Sequence, residues 1–81
     1  MESYSTEVWH KGEVVLAINN LPDAILRIAD RTVLNWYRDL AGSRKWDAFC
    51  KNFDEGRFRC ASIPHAGYVL RVIKRNENDN V

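Results

Sequence analysis

The sequence predicts a small α+β domain in which two or three helices precede a C-terminal β-hairpin, with a short N-terminal hairpin packed against it. Three stretches carry that prediction. "SRKWDAFCKNFDEG" places Trp46, Phe49, Cys50 and Phe53 at i, i+3, i+4 and i+7, one apolar stripe on a helix. "RFRCASIPHAGYVLRVIKR" alternates apolar and basic residues on either side of Pro-His-Ala-Gly, as a hairpin does. "STEVWHKGEVVLAIN" sets β-branched residues around Lys11-Gly12, a dipeptide suited to a tight turn. Eighty-one residues suffice for one core, because a chain this short buries only about 60 to 65 % of its unfolded surface. Residues 1–81 therefore form a single domain, with a disordered polar tail expected from about residue 76.

From the N-terminus, the first element is the hairpin about Lys11-Gly12. Val14, Ala17, Ile18 and Leu21 also sit at helical spacing, so a short helix over residues 12–20 stays open. Next, Asn20 can cap a helix, Pro22 fits its first turn, and Asp23 lies favourably at the positive end of its dipole. Gly42 closes it. Between Pro22 and Ala41 two readings compete. One is a straight helix with Ile25, Ala29, Val33, Trp36 and Leu40 as its stripe; the other breaks at Ala29–Asp30, with Asp30 capping a second helix. Ser43 then caps the helix of the Trp46 stripe.

In the final hairpin, pairing Ser62 with Tyr68 puts Phe58, Cys60, Leu70 and Val72 on one face and sets Arg59 opposite Arg71. The core expected from these elements is Ile25, Ile28, Val33, Trp36, Leu40, Trp46, Phe49, Phe53, Phe58, Leu70 and Val72, with both cysteines reduced and inward. Trp9, Tyr37 and Tyr68 are the aromatics that this core does not clearly need.

The chain is 46 % hydrophobic and 11 % aromatic, which places it among folded domains rather than disordered tails. "VVLAI", its longest apolar run, is too short to span a bilayer, and "MESYSTEVWHKGE" lacks the pattern of a secretory signal, so a cytoplasmic protein without membrane contact is expected. Net charge is only +1, but it is unevenly spread. Residues 31–75 hold ten Lys or Arg against four Asp or Glu, a net +6; the first thirty residues carry −3 and "NENDNV" carries −2. A basic central segment between acidic flanks suits contact with nucleic acid.

In "LRIADRTVLNW" the positions Leu26, Ile28, Thr32, Val33 and Trp36 resemble the helix-turn-helix of bacterial regulators of the MerR type and of phage excisionases, over residues 21–40. In those families a first helix ends in a leucine, and a recognition helix opens with Thr-Val and a Trp three positions on. The resemblance departs from the pattern at Arg27, where the families usually carry a glycine. It implies a winged-helix fold and double-stranded DNA as partner. On the second helix Arg31, Asn35 and Arg38 would then share the exposed face and read bases, since Arg matches guanine bidentately and Asn matches adenine. Arg44, Lys45, Arg57, Arg59 and Arg71 would hold phosphates, the last three on a basic wing.

Two other classes remain open. A non-enzymatic protein-binding module, such as a small phage-type inhibitor of a host protein, fits the near-neutral charge and the spare aromatics. A RelE-like toxin ribonuclease resembles "GRFRC" with "GYVLRVIKR", which would make Arg59, His65, Tyr68 and Arg71 its reactive set. Common enzyme motifs are absent, so no catalytic residue and no cofactor are expected. No metal is expected either: Cys50, Cys60, His10 and His65 lack the close pairing of zinc ligands.

Overall fold

A computed structural model describes residues 2–56 and 59–76. The chain runs β1 (Glu2–His10), β2 (Glu13–Ile18), a 3-10 turn (Pro22–Ala24), α1 (Ile25–Ile28), α2 (Arg31–Ala41), α3 (Arg44–Asp54), β3 (Cys60–His65) and β4 (Tyr68–Asn76). The four strands form one antiparallel sheet in the order β2-β1-β4-β3. The α+β class with three helices, an N-terminal hairpin and a C-terminal hairpin is as the sequence predicts; the expected tail beyond residue 76 lies outside the described residues.

Both hairpins turn on two residues with positive φ: Lys11 at 51° with Gly12 at 79°, and Ala66 at 49° with Gly67 at 86°. Two such residues twist the chain as the flanking strands twist, which is why short hairpins use them. The second turn overturns the expected register. Pro64 and His65 belong to β3 rather than to the turn, so Ser62 pairs with Arg71, Cys60 with Ile73 and His65 with Tyr68. An odd shift exchanges the two faces of a strand. Cys60 is therefore exposed on the outer face instead of buried, and Ile63 takes the inward place. Arg59 is not opposite Arg71; its carbonyl accepts from the Lys74 amide at 2.6 Å. Pro64 is tolerated because β3 is an edge strand, and its carbonyl receives Lys45 Nζ at 3.0 Å.

Residues 22–41 are not one straight helix. Ala29 and Asp30 are extended, with ψ of 152° and 169°, and Asp30 Oδ1 accepts the Val33 amide at 2.9 Å to start α2. No glycine is needed, because neither residue takes a positive φ, and Arg27 stays helical inside α1. Asp30→Ala should cost about 1 kcal/mol in urea unfolding, the usual worth of such a cap, with no change in the slope of the transition.

The helices cover one face of the sheet. Val8, Ile18, Ile63, Leu70 and Val72 from the strands meet Ile25, Val33, Trp36, Tyr37, Leu40 and Phe49 from the helices, with Trp46 and Phe53 packed at the margin. Buried side chains add polar bonds from the sheet to the rest of the chain. Trp36 Nε1 donates to the His65 carbonyl at 2.6 Å, and Thr6 Oγ1, buried in β1, donates to the Asn20 carbonyl at 2.8 Å. Ile28 departs from the expected core: it ends the one-turn α1 and is 56 % exposed. Tyr37 departs the other way, being buried, while Phe58 lies outside the described residues. Among the described residues no helix is long and apolar enough to cross a membrane.

Candidate nucleic-acid interface

The candidate surface is the outer side of α2, which the break at Ala29–Asp30 and the Asp30 cap start as a helix of its own. Val33, Trp36, Tyr37 and Leu40 are buried; Arg31, Asn35 and Arg38 are exposed on the other side at i, i+4 and i+7. Among the described residues neither Arg31 nor Arg38 has an ion-pair partner. The acids beside them have structural work to do. Asp30 caps the helix, and Asp39 Oδ2 lies 2.5 Å from His65 Nε2.

Tyr37 anchors α2 from beneath. Its hydroxyl donates to Asp23 Oδ1 at 2.9 Å, and its ring meets Trp46 edge-on with centroids 5.5 Å apart. Burial, then the Asp23 carboxylate, push its hydroxyl well above the usual phenol range, so it stays a neutral donor. Arg31, Asn35 and Arg38 thus sit on a helix held by packing, an N-terminal cap and the Tyr37–Asp23 hydrogen bond.

The expected phosphate contacts divide. Arg44 and Lys45 open α3, two residues after α2 ends, and both are exposed on the helical layer, although Lys45 already bonds Pro64. Arg59 is exposed at the start of β3, and Arg57 lies outside the described residues. Arg71 is on the other side of the molecule. Its partner Glu7 in β1 alternates with Thr6 and Val8, which face the helices, so Glu7 and Arg71 face away from them. Arg71 Nε donates to Cys60 Sγ at 3.4 Å; that bond first, and the Glu7 carboxylate after it, raise its pKa. The hairpin is no free wing either, since β4 is a central strand paired on both sides.

The reactive set of the ribonuclease expectation also fails to converge. His65 and Tyr68 lie on the helical side, where Tyr68 stacks on His10 with centroids 4.3 Å apart and leans on Trp36 at 5.4 Å. Arg71 lies on the opposite face, so the four side chains share no site. Among the described residues no three His, Cys, Asp or Glu side chains are grouped to hold a metal ion.

Sequence reasoning missed the outer face of the sheet, which no described helix covers. Trp9, Val14, Ala17, Val69 and Ile73 alternate with inward residues and so belong to it. The signal was present in "YVLRVI", where both parities of the strand are largely apolar; strands wetted on one face usually alternate cleanly. No family model, curated protein or solved structure matches the chain.

Proposed function

We propose that this chain is a small non-enzymatic DNA-binding protein that meets the duplex through α2, with Arg31, Asn35 and Arg38 toward base edges and Arg44 and Lys45 toward the adjoining phosphates. One observation carries the reading: the chain breaks at Ala29–Asp30 and presents those three side chains together on the outside of a capped, well-anchored helix. An α-helix fits the major groove, and Arg and Asn are the residue types that read guanine and adenine there. Arg71 has no part in this contact, because it faces the opposite side.

Fluorescence anisotropy with a labelled mixed-sequence duplex, titrated at several salt concentrations, tests it. Binding should be salt-sensitive, and R31A/N35A/R38A should weaken it by about tenfold or more. Each of Arg44→Ala and Lys45→Ala should lower the salt slope by about one, whereas Arg71→Ala leaves affinity and slope unchanged. Absence of even non-specific binding at low salt sinks the reading.

The outer sheet face favours a second reading, a protein-binding module, through the exposed Val14 and the half-exposed Trp9, Val69 and Ile73. Val14, Trp9 and Val69 lie side by side across three strands, and exposed apolar surface of this kind marks contact sites between proteins.

A further inference from the structure

We infer that the outer face of the sheet is a homodimer interface, on which two copies stack β-sheet to β-sheet about a two-fold axis. The inference rests on the protein-contact reading of that face and is independent of the DNA proposal.

The two central strands make the face self-complementary. Across the β1–β4 ladder, Glu7 is paired with Arg71 and Trp9 with Val69. A two-fold axis lying in the face, parallel to the strands and midway between β1 and β4, sets each copy's β1 over the other's β4. Glu7 then meets the partner's Arg71, Trp9 meets the partner's Val69, and symmetry repeats both contacts. Opposite charges meet, and the largest side chain of the face meets a small one. Any other chain would need the same pattern by coincidence; a second copy has it by construction.

Within one copy the Glu7 and Arg71 charges act on one another at a distance. Among the described residues Glu7 and Arg71 close no ion pair, although they are cross-strand neighbours. Glu7 Oε1 accepts Trp9 Nε1 at 3.2 Å, which orders both side chains, and Arg71 turns its Nε toward Cys60. Trp9, Ser62, Val69 and Arg71 line a shallow depression into which the partner's indole can settle.

The extent of the face is that of a small interface. Four strands spaced about 4.8 Å apart, six residues long at about 3.3 Å per residue, span roughly 19 by 20 Å. That projection is roughly 400 Å² before side-chain corrugation adds to it, against about 600 Å² per partner at the lower end of stable interfaces. The product is a sandwich of two sheets about 10 Å apart with the strands of β1 and β4 aligned at the axis.

Sedimentation velocity of the full chain across micromolar concentrations, with circular dichroism as a check on folding, decides the matter. The wild type should sediment as a dimer. Arg71→Glu sets carboxylate against carboxylate twice and should raise the dissociation constant by about a hundredfold or more, leaving a folded monomer. The double swap E7R/R71E restores opposite charges across the axis and should restore the dimer. If R71E unfolds, Trp9→Arg supplies the same comparison. A wild type that is monomeric throughout, or a dimer indifferent to both R71E and W9R, overturns the inference. In the monomeric case a photoreactive phenylalanine analogue in place of Val14 separates the two readings. Crosslinking to a different protein overturns the dimer and keeps the contact face; no crosslinking removes both.

Discussion

Replacing Leu40 with alanine is expected to cost about 3 kcal/mol in urea unfolding, the middle of the range for emptying a fully enclosed leucine site. Leu40 has no exposed surface and lies on α2 at the centre of the helix–sheet contact. It belongs to one buried cluster with ring systems and β-branched side chains, among them Tyr37, Trp36 and Val33. Such neighbours relax poorly into a cavity, so the cost includes the void as well as the lost transfer energy. A domain of this size has about 4 to 12 kcal/mol of stability in all, and the loss should be visible as a midpoint shift with unchanged slope. Ile28→Ala is the matched control. That side chain is 56 % exposed and should change stability by no more than about 0.5 kcal/mol. Equal costs at the two positions would mean that the break after α1 is misplaced.

Tyr37 should give the fold an alkaline limit. Its folded pKa lies above the unfolded value of about 10, through burial first and Asp23 second. A group that must stay protonated to remain in place stabilises fully below the unfolded pKa. That contribution is lost as pH rises through the folded value, because the unfolded chain can then release a proton that the native state holds. Stability should therefore fall above about pH 10, and Tyr37→Phe should remove that part of the fall. At neutral pH the same substitution costs only about 1 kcal/mol, for the lost bond to Asp23 Oδ1. Chemical unfolding of wild type and Y37F at a series of pH values measures the difference; parallel curves through the alkaline range would refute the assignment.

The elements legible in the sequence were those specified by neighbours along the chain. Ser43 accepts from the Trp46 amide at 3.4 Å and Asp30 from Val33, as local capping chemistry requires, and Lys11-Gly12 makes the turn its residues suit. The straight-helix alternative rested on an apolar stripe that was real but did not need continuity: Ile25 and Val33 are both buried, on either side of a break. What stayed illegible depended on contacts distant in sequence. The β3 register follows from whether the turn occupies four residues or two, and the two-residue form places Pro64 where Lys45, nineteen residues earlier, can bond its carbonyl. Likewise, the basic residues of β3–β4 read as a wing only while β4 is imagined at an edge. Its pairing with β1 puts Arg71 in the middle of a sheet and on the side away from α2.

The β1–β4 pairing also governs how the domain comes into being. It joins residues 2–10 to residues 68–76, so the central ladder closes a loop that contains every helix. Each hairpin alone is a two-stranded ribbon, marginal in water, and the helices have no sheet to cover until the two ribbons meet. That encounter carries the loop-closure entropy of nearly the whole chain, a cost that local turns and helices do not bear. A ribosome-bound chain lacking β4 can hold local turns and capped helical segments but no core. Val8, Leu70 and Val72 belong to one buried cluster on the two central strands, so none of them is enclosed before that ladder forms.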